Sequence, residues 1–306
     1  MKIAEKSQFN PDRQKIARIL ERYDLELKSY REASAGIENT TLIIDTNKGA
    51  FVMRIYRQQK KPALEINREL DFMTYLRING MKVPVVVANK AGDQLTTERF
   101  KNKRWRIIVM EFIEGYHAEK YTDGLINELS SIQARMHNLS STYKDSYPIS
   151  EPLTRLKESY FITLIPQSQI IDDRLGAFLD RAKDYELKLP RELPRGLCHL
   201  DYDTDNTLVK DDAVAAVLDF DDLGLAPFVV CLGYTLWHVY TYAGQEASKS
   251  YLENYKTKRK LSDLELSYIK PIMLFRHYVI SAVKILNGHT SPAEVSAFLE
   301  QEAQLR

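Results

Sequence analysis

A short stretch around residue 200 constrains this chain more than any other part of its sequence. Residues His199–Asn206 have the pattern H-x-D-x-x-x-x-N, and Asp219–Asp222 begins with D-F-D. Between these segments, Thr207–Val209 and Val214–Leu218 are β-strand-like runs joined by a polar turn. Folding this hairpin places residues of its two strands opposite one another. The sequence therefore predicts a hairpin with both acidic segments at its open end.

The side chains expected at the open end are Asp201, Asn206 and Asp219. Carboxylate and carboxamide oxygens, with coordination positions left for water, suit a Mg²⁺ ion that bridges phosphate groups. The alternative is an acidic turn on a solvated hairpin, because Asp and Asn are common turn residues. The flanking strands, the hairpin length and the second acidic segment together favour a magnesium–phosphate site.

The composition limits the classes of function that fit this chain. Its 306 residues are 44% hydrophobic, enough for one large domain or two lobes with their own cores. The net charge of +1 provides no global field for nucleic acid or an anionic membrane, so neither is an expected partner. Eight aspartates lie between residues 201 and 222. A metal–nucleotide complex would neutralise part of this local charge, and a cationic substrate could use the rest.

Three features bear on the compartment. Cys198 and Cys231 lie in apolar segments, which predicts buried thiols in a reducing environment and no disulfide. The start of the chain lacks the apolar segment of a signal peptide, so we expect a cytoplasmic protein. Residues 223–245 contain no Asp, Glu, Lys or Arg, but their glycines, proline and hydroxylated side chains favour a buried helix over a membrane span.

The chain changes character near residues 112–116, from mostly β-strand to mostly helical patterns. We therefore predict an α+β protein with domains 1–113 and 114–306. In the first domain the patterns predict a helix from residue 11 to about 24, strands at 40–45, 50–56, 84–88, 94–97 and 104–112, and a helix at 62–79. In the second they predict a helix after Tyr121 and others near 152–164, 171–185, 229–242, 246–257, 262–285 and 292–304.

The first predicted domain contains a cation, Arg54, within an apolar strand-like segment. Arg54 lies within the strand-like run 51–56, where neighbouring apolar residues imply that it needs an anionic partner. Glu69, at the edge of the apolar stripe of the next helix, is the candidate. The pair is either an ordinary surface ion pair of small energetic value or a cation held ready for nucleotide phosphates. Together with the downstream motifs, the pattern favours the second interpretation.

Two further segments are candidates for nucleotide contacts. Gly36 and Asn39 precede the first hairpin, where a loop could cover phosphates, although one glycine alone is a poor phosphate-loop signature. Glu111 and Ile113 end the last strand before the change of character, where exposed backbone groups could hydrogen-bond to an adenine edge. The alternative is simply a strand that runs into a loop.

With these motifs assembled, the chain resembles the aminoglycoside phosphotransferase and choline kinase-like superfamily over about residues 25–240. The matching segments are Gly36–Thr41 for the nucleotide loop, Val52–Tyr56 for the lysine-or-arginine strand, Arg68–Leu70 for the helix glutamate, Ile132–His137 for a helix ending in a Leu/Met-His pair, and Leu197–Val209 and Ala215–Gly224 for the two acidic signatures.

The resemblance implies a bilobal protein-kinase-like fold, with a small, mostly antiparallel N-lobe that includes one pairing helix and a larger, mainly helical C-lobe. It implies ATP, with GTP possible as an alternative donor, and Mg²⁺ as cofactors, and a small-molecule hydroxyl as acceptor. The implied roles are catalytic base or hydroxyl-orienting residue for Asp201, Mg²⁺ ligands for Asn206 and Asp219, phosphate contact for Arg54 with Glu69 positioning it, and bracing of the catalytic loop for His199.

The chain departs from the family pattern on the acceptor side. Leu200 replaces a usual glycine, Asp203–Asp205 replaces a common H-P-G, and Cys231 lies about where many members have an aspartate. These departures spare the catalytic and metal positions but leave the identity of the acceptor open.

An acidic rim suggests the chemistry of the acceptor. Asp203, Asp205 and Asp222 would suit an ammonium group, as in an amino alcohol, a homoserine-like amino acid or an aminoglycoside. The alternative is that these carboxylates only solvate the loops. Trp237 is a further acceptor-side candidate, although aromatic residues at helical spacing usually belong to a core.

Two other functions of the same fold class stay open. A Ser/Thr protein kinase would need an activation segment, and only about nine residues separate Asp219 from the next predicted helix. A nucleotide-binding pseudokinase would be expected to have lost Asp201 or Asp219, and the chain retains both. The oligomeric state is open.

Overall fold

The structure is a computed structural model, and it describes residues 12–33, 39–56, 61–100, 103–144, 172–286 and 290–306. These residues form two compact units. Unit 1 contains the described residues up to His117, Lys144 and the segment Thr207–Asp221. Unit 2 contains Ala118–Tyr143, residues 172–206 and Asp222–Arg306. Unit 1 thus includes the hairpin after Asn206, which the sequence analysis assigned to the second domain.

Unit 1 is built on an antiparallel sheet. Its strands are β1 (Leu27–Glu32), β2 (Thr40–Thr46), β3 (Gly49–Ile55), β4 (Val86–Val87), β5 (Thr96–Phe100) and β6 (Lys103–Glu111). They pair in the order β1-β2-β3-β6-β4, and β5 also pairs with β6. The helices are α1 (Arg13–Leu20), continued by a 3₁₀ turn at Glu21–Tyr23, and α2 (Ala63–Ile78). Each predicted strand and helix of the first domain overlaps an observed one.

Local sequence explains the position of β3, the strand that carries Arg54. The hairpin of β2 and β3 turns through Asn47 and Lys48, and Gly49 then adopts a φ of 115°, which glycine tolerates without strain. Inward-facing side chains of this hairpin pack with α1 and β6 into a core. Its members include Ile16, Ile19, Leu42, Ile44, Met53 and Ile107. Because β3 pairs with both β2 and β6, Arg54 lies on a strand held from both sides.

A second hairpin in unit 1 carries the metal-binding candidate Asp219. Its strands are β8 (Thr207–Lys210) and β9 (Ala213–Val217), and Thr207 pairs with Val217. Asp211 and Asp212 form the turn with φ angles of 51° and 59°, as a two-residue hairpin of this type requires. The predicted hairpin is therefore confirmed, with one register irregularity between Leu208 and Val209.

Unit 2 is mainly helical. Its helices are α3 (Asp123–Ser140), α4 (Leu175–Asp184), α5 (Phe228–Ala243), α6 (Gln245–Lys258), α7 (Asp263–Leu286) and α8 (Pro292–Leu305). Two short strands, β7 (Arg195–Cys198) and β10 (Gly224–Pro227), pair antiparallel. These helices match the predictions, except that the helix predicted at 152–164 lies outside the described residues.

Helix α5 contains most of the segment 223–245, the uncharged stretch that was weighed as a membrane span. Most of its first three turns are buried within unit 2, against α6 and α7. Among the described residues, no helix combines the length and apolar character that crossing a bilayer requires. Cys198 and Cys231 are buried free thiols, as predicted. The α+β fold class, with an antiparallel sheet in the first part and helices in the second, is confirmed.

Candidate active site

Arg54 is the central cation of unit 1. Its Nη1 lies 3.0 Å from Asp219 Oδ1 and 3.4 Å from Asp221 Oδ1, and its side chain is only 12% exposed. Burial alone would lower the pKa of this guanidinium, but the carboxylates of Asp219 and Asp221 outweigh burial and raise it. Arg54 is therefore a permanent positive charge held by two carboxylates that follow β9.

Glu69 has a different partner from the one predicted. Its carboxylate, 1% exposed, accepts hydrogen bonds from Lys61 Nζ at 2.6 Å and from the Tyr56 hydroxyl at 3.0 Å. Burial raises the pKa of Glu69, and Lys61 opposes that shift. The predicted ion pair of Arg54 with Glu69 is thus replaced by two pairs. The physical reason is that Asp219 and Asp221 already supply Arg54 with anions, so Lys61 neutralises Glu69.

Lys61 was not identified from the sequence. Its ammonium also donates to the Asp221 backbone carbonyl at 2.8 Å, so it links α2 to the D-F-D segment. One signal was available, because Lys61 directly precedes Pro62 at the N-terminus of α2, where a cation is unfavourable without an anionic partner. The sequence could have indicated that Lys61 needs a partner, but not which one.

Asp221 is the point at which these groups converge. Besides Arg54 and Lys61, the amide of Asn39 donates to its carboxylate. Asn39 is therefore held in unit 1 beside the D-F-D segment. The other predicted loop residue, Gly36, lies outside the described residues.

The conformation of Asp219 shows how the D-F-D turn is held. Asp219 has a φ of 54°, a left-handed conformation that costs about 1–2 kcal/mol for a residue with a side chain. The next residue, Phe220, is buried with its ring edge-on to Phe72 of α2, at 6.5 Å between centroids. Upstream, Val217 N–H donates to Lys82 O at 2.8 Å. The buried phenylalanine and the anchored strand fix a strained turn, and Asp219 keeps 43% of its side chain exposed.

A cavity of about 330 Å³ within unit 1 collects most of the predicted nucleotide residues. Those that line it are Arg54, Glu69, Glu111 and Ile113, and the predicted metal ligand Asp219 lines it as well. Apolar side chains complete the walls, including Val52, Met73, Met110, Phe112 and Leu218. Since β6 ends at Glu111, the backbone of Phe112 and Ile113 lies beyond the sheet ladder at this wall. The lining therefore combines apolar side chains with the charged residues Arg54, Glu69, Glu111 and Asp219.

In unit 2, Asp201 lies between an amide and a guanidinium. Asn206 Nδ2 donates to Asp201 Oδ2 at 3.1 Å and to the Asp201 carbonyl at 2.7 Å. Arg276 Nη2, on α7, donates to Asp201 Oδ1 at 2.7 Å. Each oxygen of the predicted catalytic carboxylate therefore has a donor. Arg276 was missed from the sequence because it lies 75 positions downstream in a helix whose pattern indicated only a core.

The loop that carries Asp201 is braced from inside. His199 is fully buried, and its ring packs edge-on against Tyr202 at 5.9 Å between centroids. This is the location that a bracing role requires. Leu200 has a φ of 57°, which explains why glycine is usual at this position in the resembling family.

Asp203 is a buried turn residue as well as an acid. Its Oδ1 accepts hydrogen bonds from the backbone N–H of Asp205 at 2.9 Å and of Asn206 at 3.3 Å. Burial, with the nearby charges of Asp201 and Asp205, raises the pKa of Asp203 to about 7. His238 Nε2 lies 3.5 Å from Asp203 Oδ2, and burial lowers the pKa of His238 to about 4. At neutral pH His238 is neutral, so this contact is not an ion pair.

The other acceptor-side candidates occupy different surroundings. Asp222 is exposed. Trp237 is 4% exposed and packs against His277, with 6.3 Å between ring centroids. The expectation that Trp237 offers its side chain to an acceptor is corrected to a core role, because its helix buries that face. The neighbouring residues Tyr234 and His238 are the α5 side chains that contact Arg276 and Asp203.

These observations define a class of protein. A basic strand, a buried helix glutamate and a D-F-D turn surround one cavity in unit 1, and unit 2 carries a catalytic-loop carboxylate, as in kinase-like phosphotransferases. A model described as the phosphotransferase enzyme family matches residues 29–264, which is more than half of the chain. The chain belongs to this family.

Individual relatives agree with that assignment. The chain is 24% identical to a homoserine kinase of Afipia carboxidovorans over 256 residues, covering 82% of this chain and 77% of that protein. Its fold is similar to the amicoumacin kinase hAmiN in complex with AMP-PNP, Ca²⁺ and Ami, with a TM-score of 0.74, 18% identity and coverage of 96% and 93% of the two chains. It is also similar to the microcompartment-associated aminopropanol kinase, with a TM-score of 0.69, 19% identity and coverage of 96% and 95%.

The comparisons confirm three expectations drawn from the sequence. The family resemblance and the kinase-like fold are confirmed. The enzyme class is also confirmed, namely a phosphotransferase that phosphorylates a hydroxyl group of a small molecule. Such an enzyme uses ATP and a divalent metal ion.

Proposed function

We propose that this protein transfers the γ-phosphoryl group of ATP, with Mg²⁺ as the metal, to a hydroxyl group of a small acceptor that carries an amine. The observation that carries the proposal is the unit 1 cavity, whose wall joins Arg54, Glu69 and Asp219 to the end of β6. Its volume of about 330 Å³ is that of a small-molecule site. The amine is supported by the acidic residues near Asp201 and by relatives named for homoserine and aminopropanol.

On the nucleotide side, Arg54 contacts the phosphates. Lys61 and Glu69 form the buried pair that positions the D-F-D segment, through the hydrogen bond of Lys61 to the Asp221 carbonyl. The backbone at Glu111 and Ile113 meets the base edge, and Asn39 belongs to the segment that covers the phosphates. GTP is the alternative donor, because no side chain in this set discriminates between the two bases.

Asn206 and Asp219 are the proposed ligands of Mg²⁺. Both described side-chain hydrogen bonds of Asn206 use its Nδ2, so its Oδ1 is the atom suited to a metal. Asp219 contributes a carboxylate that is 43% exposed. Oxygen donors of this kind fit the preference of Mg²⁺, which when bound supplies charge neutralisation to the phosphates.

On the acceptor side, Asp201 accepts a hydrogen bond from the acceptor hydroxyl and orients it for attack. His199 braces the loop, and Asp222, together with the ionised form of Asp203, supplies negative charge for the amine. Phosphoryl transfer asks for little covalent chemistry from the protein, so this orientation and the charges around it account for the rate.

The test is ADP release by the purified protein with ATP and Mg²⁺. The acceptor panel contains amino alcohols, hydroxy amino acids, sugars and aminoglycosides, with GTP as a second donor. We expect turnover with one class of amine-bearing acceptor and a fall in kcat of about 10²- to 10⁴-fold in Asp201→Asn. Asp173→Asn, an exposed carboxylate in unit 2, is the matched control and should match the wild type. Absence of nucleotide binding by calorimetry would refute the proposal.

A further inference from the structure

Arg276 poses a question that the proposed roles leave unanswered. Both oxygens of Asp201 have donors, Oδ1 from Arg276 and Oδ2 from Asn206. Each carboxylate oxygen can accept two hydrogen bonds, so Asp201 can accept one from an acceptor hydroxyl and keep both donors. The contact with Asp201 uses one nitrogen of Arg276, and the proposed roles give the rest of this guanidinium nothing to bind.

The geometry of Arg276 indicates which anion fits its guanidinium. Its guanidinium lies over the Tyr234 ring, 4.8 Å from the centroid, and its side chain is 17% exposed. Only Nη2 reaches Asp201, and Nε is buried without a hydrogen-bond partner among the described residues. Nε and Nη2 form one edge of the planar guanidinium, the edge that binds a carboxylate through two parallel hydrogen bonds. Asp201 uses one position of this two-position site.

We infer that Arg276 binds a carboxylate of the acceptor, so that the substrate is a hydroxy amino acid rather than an amino alcohol. The inference rests on the proposed function. The carboxylate would accept hydrogen bonds from both Nε and Nη2, so that Nε gains the partner that it lacks. The ammonium of the same molecule has a counterpart in the acidic side, where ligand atoms of Asp203, Asp205 and His238 lie within 4.8 Å of one another.

The charges in unit 2 are consistent with a substrate that carries both a positive and a negative group. His238 experiences the positive charge of Arg276 and the negative charges of Asp201 and Asp205, so all three act on one region. A purely cationic acceptor would leave Arg276 paired with Asp201 and would be repelled by it. A zwitterion matches both signs of charge.

The experiment uses pairs of acceptors that differ only by the carboxylate. These are serine and ethanolamine, homoserine and 3-aminopropan-1-ol, and threonine and 1-aminopropan-2-ol. For the pair that the enzyme uses, we expect kcat/KM to favour the amino acid by about 10- to 100-fold in the wild type. Arg276→Gln should reduce that preference to about threefold or less by raising KM for the amino acid, with KM for ATP unchanged. Arg276→Lys should restore it in part, since a point charge lacks the two-position edge.

Lys270→Gln, which removes an exposed cation from the same helix, is the matched control and should keep the wild-type preference. If Arg276 only positions Asp201, Arg276→Gln will lower kcat for both members of each pair equally, and that result overturns the inference. A wild-type preference for the decarboxylated member overturns it as well.

A binding measurement separates this inference from the proposed function. Calorimetric titration of each amino acid into the wild type and Arg276→Gln, with Mg²⁺-ADP present, should show binding that the variant loses. If nucleotide binds but none of the three amino acids does, the carboxylate inference is wrong while the kinase proposal stands. If the nucleotide itself fails to bind, the proposed function is wrong. Thermal unfolding of each variant identifies any loss of folding.

Discussion

Unit 1 and unit 2 hold their charged residues in different ways. In unit 1, Arg54 and the carboxylates of Asp219 and Asp221 neutralise one another, and Lys61 neutralises Glu69. In unit 2, Asp203 is buried in a turn beside a neutral histidine, and Arg276 uses only part of its binding edge. The proposed nucleotide side is therefore preorganised by internal ion pairs, whereas the proposed acceptor side has charges that a ligand would complete. The variants below test that contrast.

The largest effect is expected from Arg54→Gln. The substitution removes the cation that Asp219 and Asp221 share, so kcat/KM for ATP should fall by about 10²-fold or more. KM for the acceptor should change little, because Arg54 belongs to the nucleotide side. The measurement is ADP release with ATP and acceptor varied separately, and Arg22→Gln, a partly exposed cation of unit 1, is the control. An equal rise in both KM values would show that Arg54 does not act on the nucleotide alone.

The second effect concerns the scaffold that holds the acceptor-side residues. A Cβ on Gly233 of α5 would lie 2.5 Å from Ile272 Cγ2 and 2.9 Å from Ile272 Cβ on α7. Gly233→Ala should therefore lower the free energy of unfolding by about 1–3 kcal/mol through overpacking. Because α5 and α7 carry His238 and Arg276, KM for the acceptor should also rise while KM for ATP stays constant.

Gly176→Ala on α4 is the matched control for that substitution. Apart from its chain neighbours and its own helix backbone, none of the residues that the structure describes has an atom within 4 Å of the added Cβ. The helix should therefore gain up to about 1 kcal/mol from the better propensity of alanine. Urea denaturation of both variants checks the difference. Equal destabilisation would show that the close packing of α5 on α7 does not limit position 233.

The sequence predicted most of the fold and only part of the site. The strands, hairpins and helices followed from apolar periodicity and turn residues, and Arg54 and Asp219 followed from local motifs, one within a strand and one just after a strand. The partner of Glu69 did not, because periodicity identifies a buried face but not which of two nearby cations reaches it. Family, fold and enzyme class were predictable, since they depend on motifs that lie within single segments.

The sequence around Arg276 contains a signal of its own. Arg276 is the one cation in the apolar run Ile272–Ile280, and a cation in such a run needs an anionic partner. The sequence could have identified that need. It could not identify Asp201 as the partner, since that depends on the packing of α7 beside the catalytic loop within unit 2.

The third prediction concerns pH and the pair Asp203 and His238. Folded Asp203, with a pKa of about 7, holds a proton that the unfolded chain releases near pH 4, so its contribution to stability falls as pH rises from about 4 to 7. Folded His238, with a pKa of about 4, stays neutral where the unfolded chain takes up a proton below about pH 6.5. Its contribution therefore rises with pH from about 4 to 6.5. The two slopes oppose each other.

Asp203→Asn removes one slope and keeps the hydrogen-bond acceptor of the turn. Between pH 4.5 and 6.5, its free energy of unfolding should rise with pH more steeply than that of the wild type, by up to about 1.4 kcal/mol per pH unit. His238→Gln should change the slope in the opposite direction. Urea denaturation at pH 4.5, 5.5 and 6.5, at fixed ionic strength, is the measurement. Parallel profiles for all three proteins would show that both Asp203 and His238 have ordinary pKa values in the folded state.

The smallest effect is expected near the turn of the hairpin of β8 and β9. The charged residues there belong neither to the ion pairs around Arg54 nor to the acidic residues around Asp201. Lys210 Nζ lies 2.6 Å from Glu114 Oε2, but both side chains are largely exposed, so water screens the pair and rotamer entropy offsets its attraction. Lys210→Met should leave Tm and both KM values unchanged within error, in low salt and in 0.5 M NaCl alike. A fall in Tm, or a change in KM for ATP, would mean that this end of the hairpin helps to hold the D-F-D segment. The preorganisation of unit 1 would then extend beyond Arg54, Lys61 and their carboxylates.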